Sequence, residues 1–304
     1  MTVTVLILTL NEAQHIKRAL SSVACFAERC VVVDSGSTDE TVALAKAEGA
    51  QVLSNPFVNQ AQQFNWALDQ LKPETDWVFR LDADEIVTPE LAKEIAARLD
   101  KLPEDVCGVA LNRRIVFMGK SIQWGGVFPV QIVRLFRFGR ARSEDRWMDE
   151  HILCDGRVVG GFEGEIQDIN LNPLSWWISK HNAYASREVV EILNQEYKFL
   201  HREADNHLSS GKQAGLKRWL KNRAYAKLPD GARAFTYFIY RYIGRLGFLD
   251  GKEGTKFHVL QGFWYRYLVD AKLHEVRIYM ERNDVDAVFA INDVLGIDLV
   301  GSRL

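Results

Sequence analysis

Short apolar runs alternate with longer amphipathic stretches along the first third of the chain. Val3–Leu10 is dense in β-branched and aliphatic residues and predicts a buried strand. The spacing then predicts a helix from about His15 to Val23 and a strand at Cys30–Asp34. Next comes a helix over Glu40–Glu48, capped by Thr38 or Asp39 and stopped by Gly49. A short strand at Gln51–Leu53, a helix near Gln60–Leu71, a strand at Trp77–Leu81 and a helix Glu90–Leu99 opened by Pro89 complete the series. Strands alternating with helices of about ten residues predict a parallel sheet with right-handed crossovers. From residue 106 the pattern changes: Val106–Leu111, Gln131–Phe138 and Ile152–Phe162 read as strands joined by Gly-rich loops. From Pro173 onward the chain reads as largely helical and rich in Trp, Tyr and Phe, without repeats or low-complexity segments.

Three of the predicted strands end on oxygen-bearing side chains. Val3–Leu10 runs into Asn11-Glu12, Val31-Val32-Val33 into Asp34-Ser35-Gly36-Ser37-Thr38-Asp39, and Trp77-Val78-Phe79-Arg80-Leu81 into Asp82-Ala83-Asp84. In an open α/β sheet the carboxyl ends of neighbouring strands form the ligand crevice. Two carboxylates at i and i+2 where a buried strand emerges can hold a hard cation and the diphosphate that it neutralises. A lone D-x-D is a weak signal and is compatible with a solvated turn. Three such ends together point to a nucleotide-sugar pocket.

Composition narrows the class. At 304 residues, 47% hydrophobic and 26% charged, the chain fits a soluble globular protein with a full α/β core and a smaller second element. No apolar run approaches the ~18 residues of a membrane span, and the first run reads as a core strand rather than a signal peptide. Cys25, Cys30, Cys107 and Cys154 show no CxxC pair and read as reduced thiols of a cytosolic protein. The net charge of −2 hides an asymmetry. Residues 1–112 hold 17 acids against 9 Lys or Arg, whereas residues 212–252 hold 10 Lys or Arg against Asp230 and Asp250. The first half therefore reads as metal-using and the basic stretch as meeting anions, with no nucleic acid among the expected partners.

T-L-N-E at 9–12, V-V-D-S-G-S-T-D-E-T at 32–41 and F-R-L-D-A-D-E at 79–85 together resemble family 2 glycosyltransferases of the GT-A fold, over residues 3 to about 160. G-F-L-D-G-K-E-G at 247–254 and F-H-V-L-Q-G-F-W-Y-R-Y-L-V-D-A-K-L-H-E at 257–275 are similar to the end of bacterial members that build lipopolysaccharide cores and exopolysaccharides, the β-glucosyltransferase type above all. The resemblance implies an α/β, Rossmann-like, mostly parallel sheet flanked by helices. It implies transfer of a hexose, with inversion, from a nucleoside-diphosphate sugar (a UDP-sugar) to a glycan or lipid-linked acceptor, using Mg²⁺ or Mn²⁺.

Residue by residue, the resemblance places Asp34, Ser35 and Asp39 on the nucleotide base and ribose, with Leu10, Asn11 and Glu12 as the other wall. Carboxylates there accept from uracil N–H and ribose hydroxyls. Asp39 reads equally as an N-cap, and Ser35 and Ser37 as turn residues. Asn65 corresponds to a position that faces the nucleotide and reads equally as a solvated surface residue. Asp82 reaches the ribose, or the metal through water, and Asp84 binds the metal across the diphosphate. The general base falls in Arg146-Trp147-Met148-Asp149-Glu150-His151, with Glu150 favoured and Asp149 as the alternative. His151 reads as a satisfied core histidine or a metal ligand. Trp124 and Gly125 sit in a Gly-Gly loop able to close on a sugar ring, and Arg134 and Arg137 contact phosphates or only solvate a strand face.

Arg233–Arg245 predicts a helix with Arg233, Arg241 and Arg245 on one side and a broad apolar face on the other. Preceded by Lys217, Arg218, Lys221, Arg223 and Lys227, it fits an anionic membrane surface, or a helix packed on the catalytic domain. Phe257, Leu260, Trp264, Tyr267, Leu268 and Ala271 have the spacing of a core, or of homo-oligomer contacts. The expected organisation is a catalytic domain at 1–165 and a helical, aromatic-rich, basic membrane-association and acceptor region at 166–304. The expected location is cytoplasmic, peripheral to the inner face of the cytoplasmic membrane. Two other classes use part of this pattern: a haloacid-dehalogenase-like phosphatase, which wants its D-x-D on an early strand, and a non-catalytic GT-A binding module.

Overall fold

The aliphatic run Val3–Thr9 (β1) lies inside a ten-stranded sheet. The computed structural model describes residues 1–72, 74–144, 150–199 and 231–299. They divide into two compact units, residues 1–144 with 150–171 and residues 172–199 with 231–299. In the first, β1 pairs in parallel with Arg29–Asp34 (β2) and Trp77–Asp82 (β4), and β2 pairs in parallel with Gln51–Ser54 (β3). The sheet continues through Glu85–Val87 (β5), Val106–Phe117 (β6), Lys120–Ser121 (β7), Val130–Arg137 (β8), Arg157–Val159 (β11) and Glu165–Ile169 (β12), in the order β3-β2-β1-β4-β8-β6-β12-β5, with β7 and β11 beside β6. Ala141–Ser143 (β9) and Ile152–Cys154 (β10) form a separate antiparallel pair.

Side chains alternate across β1. Val3, Val5 and Ile7 pack with Ile16, Ala19, Leu20 and Val23 of Ala13–Val23 (α1), with Ala45 of Thr41–Ala47 (α2) and with Leu91, Ala92 and Ile95 of Pro89–Arg98 (α4). Leu6 packs on the other face with Phe64, Ala67 and Leu68 of Gln60–Asp69 (α3). Helices on both faces explain why these strands read as continuous apolar runs rather than alternating ones. The fold class is α/β with the GT-A arrangement, a mixed, mostly parallel sheet flanked by helices, and a helical C-terminal region follows it.

Several elements depart from the expected bounds. The Ile152–Phe162 run breaks into β10 and β11, because Asp155 and Gly156 (φ +144°) turn the chain from β9 to β6. β6 extends six residues past Leu111, and β5 and β12 are too short and too charged to show as apolar runs.

In the second unit, Leu174–Tyr197 (α5) packs Ala185, Val189, Val190 and Leu193 against Tyr265–Asn283 (α8) and Ala287–Leu295 (α9). The expected 233–245 helix is α-helical only over Ala232–Ile239 (α6) and continues as a π turn at Tyr240–Gly244. Two of its three cations turn inward, Arg233 pairing with Asp270 and Arg241 buried against the rings of Tyr237 and Phe257, while Arg245 is exposed. After Gly251–Phe257 (α7), a second π segment at His258–Trp264 moves the buried stripe to Tyr265, Val269, Leu273 and Val276, so Tyr267 and Ala271 are exposed. Lys217, Arg218, Lys221, Arg223 and Lys227 lie outside the described residues.

Gly164 precedes β12 where a side chain would collide with α4. An added Cβ would sit 2.2 Å from the Leu91 nitrogen and 2.4 Å from its Cα. Gly164→Ala is expected to lower stability by about 1–3 kcal/mol, read as a fall in urea midpoint. Gly160→Ala, whose added Cβ meets nothing nearer than 3.7 Å, should stay within about 0.5 kcal/mol. Equal midpoints for wild type and Gly164→Ala would show that β12 has room to move off α4.

Candidate active site

Strand register brings the three predicted acid-bearing ends to one edge of the sheet. Thr9 lies opposite Asp34, and Leu8 lies opposite Asp82. Order in the sheet runs one way from β1 to β2 and β3 and the other way to β4, so this edge is the topological switch point at which open α/β sheets bind ligands.

The loops after β1 and β2 are stitched together by side chains. Asn11 adopts φ +56°, a conformation that Asn tolerates well, and its Oδ1 accepts from the Thr38 N–H at 2.9 Å. The Asn11 N–H donates to Ser37 Oγ at 2.8 Å, and the Glu12 N–H to Thr41 Oγ1 at 2.7 Å. Asp39 accepts from the backbone N–H groups of Thr41 at 3.0 Å and Ala13 at 3.1 Å, joining the starts of α2 and α1. Burial works against its charge, but these donors, with the Thr41 hydroxyl, outweigh it and lower its pKa. Asp39 is thus one brace for two helix starts, wider than the single cap expected. Leu10 stands exposed beside it.

Asp34 is 4% exposed, and its oxygens accept from Gly36 N–H at 2.9 Å, Ser37 N–H at 2.8 Å, Ser37 Oγ at 2.5 Å and Thr9 Oγ1 at 3.2 Å. Four donors fill a carboxylate. In this arrangement Asp34 shapes the loop on which Ser35 and Ser37 stand. Ser35 Oγ accepts from Gln63 Nε2 at 3.1 Å, and buried Gln63 also holds Asn55, a third polar wall that sequence reading missed. Asn65 is tied to the backbone of β9. Its amide accepts from the Ser143 N–H and donates to the Ser143 C=O, both at 2.9 Å, so it clamps β9.

Glu12 turns one oxygen back toward His15. The Leu171 N–H donates to His15 Nε2 at 2.9 Å, so Nδ1 carries the proton and donates to Glu12 Oε2 at 2.5 Å. Arg18 of α1 donates to the carbonyls of Asp84 and Ile169. The start of α1 is thereby fixed to the D-x-D turn and to the chain just after β12.

Asp82 and Asp84 occupy different environments. Arg134 Nη2 donates to Asp82 Oδ2 at 2.7 Å and to Glu85 Oε1 at 2.8 Å, and Arg80 Nε lies 3.9 Å from Asp82 Oδ1. Burial opposes ionisation of Asp82, but the guanidiniums of Arg134, Arg80 and Arg113 outweigh it and hold its carboxyl well below the usual carboxylate range. Complete burial pushes Glu85 the other way, and Arg134 offsets only part of this. Arg113 continues the ladder, donating to Glu85 Oε1 at 2.9 Å and to Asp168 Oδ2 at 2.5 Å. Asp84 is half-buried, and its Oδ2 accepts from Asn170 Nδ2 at 2.9 Å. Among the described residues no three His, Cys, Asp or Glu side chains gather as a metal cage. A site that relies on one or two carboxylates, waters and substrate oxygens needs no such cage.

Glu150 lies in the same neighbourhood, its Oε1 accepting from Arg80 Nη2 at 2.9 Å. Asp149 lies outside the described residues. His151 is exposed, 3.6 Å from Glu144, which corrects its reading as a core histidine. Trp124 is exposed and Gly125 buried, and Gly125 and Gly126 have φ near +70°, a turn that suits glycine in both places. The arginines separate. Arg134 is buried in the Asp82–Glu85 ladder and does not solvate a strand face. Arg137 lies opposite Trp77, at the far end of β4 from Asp82. It donates to the Val106 carbonyl at 2.8 Å and lies over the Trp77 ring. Arg80, Glu85, Arg113 and Asp168 went unread. The available signal was Arg80 inside an apolar strand and Glu85 at the start of another, since a charge in a buried run needs a partner.

Comparison with known proteins bears on this geometry. The pattern of Glycosyl transferase family 2 matches residues 4–152. An uncharacterised glycosyltransferase of Rickettsia bellii is 43% identical over 89 residues, covering 29% of this chain and 30% of its own. The chain thus spans less than a third of the first relatives that it matches. A longer match, to an uncharacterised glycosyltransferase of Rickettsia typhi, is 39% identical over 205 residues, 64% of this chain and 68% of the relative. The lipopolysaccharide core biosynthesis glycosyltransferase LpsC of Rhizobium meliloti is 26% identical over 293 residues, 92% of this chain and 94% of its own. With the strand ends in register and these matches covering them, the chain belongs to glycosyltransferase family 2.

Proposed function

We propose that the protein is an inverting hexosyltransferase that takes its sugar from a UDP-sugar and delivers it to a lipopolysaccharide-type or lipid-linked glycan at the inner face of the cytoplasmic membrane. The observation that carries the reading is the convergence of the Asp82–Asp84 turn, the stitched loops after β1 and β2, and Arg80-held Glu150 at one edge of the sheet. The name and near-full-length match of LpsC support the acceptor class. No helix among the described residues is long and apolar enough to cross a membrane, which fits peripheral attachment.

Leu10, Asn11 and Ser35 line the crevice as the nucleotide wall, with Glu12 and Asp39 as its frame. Asp82, fixed as a carboxylate by Arg134, accepts from ribose hydroxyls. Asp84 has the donor chemistry for Mg²⁺ or Mn²⁺, a hard cation bound through one carboxylate, water and diphosphate oxygens. When bound, such an ion stabilises the charge that grows on the leaving diphosphate. Glu150 takes the proton of the acceptor hydroxyl as its oxygen attacks the anomeric carbon and the bond to the diphosphate breaks. Arg80 holds Glu150 in place through the bond from its Nη2. Trp124 offers an aromatic face to the acceptor sugar, and the Gly125–Gly126 turn lets that loop approach it. The catalytic domain in this reading is residues 1–165 and the acceptor and membrane region residues 166–304.

Two measurements test it. Asp84→Ala should keep its circular dichroism spectrum and lose the gain in UDP affinity that Mn²⁺ gives the wild type, measured by titration calorimetry with and without the ion. An undiminished Mn²⁺ effect in the variant would remove Asp84 from the metal site. Glu150→Gln should cut turnover of a UDP-sugar and acceptor pair by roughly 10²–10⁴-fold with UDP affinity retained, the range for loss of a general base. Asp149→Asn should do less. The reverse ranking would assign the base to Asp149.

A further inference from the structure

The second unit turns an apolar surface outward where an ordinary helix would show a polar one. Between residues 235 and 249, Phe235, Tyr240 and Ile243 are each 56% exposed, and Leu246, Phe248 and Leu249 are 42–51% exposed. Several polar groups in and beside this stretch turn inward, while Arg245 stays exposed. Arg233 pairs with Asp270, Arg241 lies buried against Tyr237 and Phe257, Asp250 pairs with His258 at 3.4 Å, and Tyr242 Oη meets Thr255 Oγ1 at 2.9 Å. Phe238 and Tyr242 stack at 5.2 Å, and Phe238 reaches Phe263 at 6.2 Å, forming the inward face.

Backbone geometry enforces the display. The π turn at Tyr240–Gly244 shifts the helical register, and Leu246 adopts φ +59°, costly for a side chain of its size. Hydrogen bonds from Leu246 N–H to the Ile243 carbonyl at 3.1 Å and from Leu249 N–H to the Leu246 carbonyl at 3.0 Å make a tight tip of those leucines. Residues held in such conformations cluster at functional sites.

The charges on the surface of this region identify the occupant. Arg245, Lys252 and Lys256 are exposed, whereas Asp250 is buried and Glu253 half-buried. A two-fold contact with a second copy would set these cations against their own equivalents. A bilayer with anionic headgroups accepts the apolar side chains and neutralises the cations together.

We infer that Phe235–Leu249 is a bilayer-inserting element, with the Ile243–Leu249 tip entering the headgroup–acyl boundary of an anionic phospholipid membrane and Arg245, Lys252 and Lys256 at its rim. The inference rests on the proposed placement at a membrane and replaces its electrostatic basis with an apolar one, which salt does not screen. Wild type is expected to co-sediment with vesicles of phosphatidylethanolamine and phosphatidylglycerol and to remain largely bound at 1 M NaCl. The triple variant Ile243→Gln, Phe248→Gln, Leu249→Gln should partition about 10²–10³-fold more weakly. Its UDP affinity, measured in the same preparation, should match wild type, so that failure of the membrane inference is told apart from failure of the donor site. A second variant, Phe248→Trp, should gain fluorescence quenching by lipids brominated on their acyl chains relative to wild type. Release of wild type by salt, unchanged partitioning of the triple variant, or no added quenching would overturn the inference. So would a dimer in sedimentation velocity that ignores vesicles and dissociates in the triple variant, which would assign the face to a second copy.

Discussion

Arg134 is buried between two carboxylates, and the end of β4 is organised around that arrangement. Removing a guanidinium and two carboxylates from water costs several kcal/mol for each ion, and the cost is recovered only when geometry and hydrogen bonds are nearly complete. The ladder meets that demand by extension: Asp82 and Glu85 share Arg134, Glu85 and Asp168 share Arg113, and Arg80 links the Asp82 end to Glu150. Loss of one member would strand its neighbours as unpaired buried charges. The D-x-D turn therefore has little freedom, and Asp84 departs from a fixed point. Rigidity at this end suits the diphosphate site proposed there, since misplacement by an ångström costs orders of magnitude in rate.

Rigidity on the side proposed for the donor comes from hydrogen bonds in which neutral groups surround two carboxylates. Asn11, Ser37, Thr38, Asp39 and Thr41 knit two loops by exchanging side-chain and backbone hydrogen bonds, and Asp34 holds the second loop from beneath. Such a wall is pre-shaped, so little conformational entropy is lost when a nucleotide enters. Wall and ladder meet through α1, where Arg18 reaches the last residue of β12 and His15 reaches Leu171 beyond it.

Legibility in the sequence followed the range of the interaction. The parallel strands, the helices between them and the three acid-bearing ends are local patterns, and Val3–Leu10, Val31–Asp34 and Trp77–Asp82 displayed them openly. Asp82 could be placed, but not its partner, because Arg134 is 52 residues away on a strand of the opposite direction. Asn65 looked like a polar helix residue because its bond to the Ser143 backbone spans 78 positions. Arg134 and Arg137 stand three apart on one strand and looked alike. Burial in an ion ladder and packing on Trp77 at the opposite sheet end separate them, and neither fate has a local signature. In the helical region the π segments hid the true buried stripe, since a period of 3.6 residues carries no mark where a turn gains one.

The position of β12 has a consequence for how the first unit comes into being. This strand lies between β6 and β5, so among the described residues β5, made from residues 85–87, joins the sheet only through a strand that ends at Ile169. The His15–Leu171 hydrogen bond closes a loop of 156 residues. Contacts of such separation are slow to form, because the entropy of loop closure is lost before the contact returns anything. On the ribosome, where chains emerge at about 5–20 residues per second, the β1–β4 core can assemble early while β5 stays without its partner strand. For several seconds the nascent sheet therefore carries an unsatisfied edge beside an acidic turn, and that charge is its protection against pairing with a neighbouring chain.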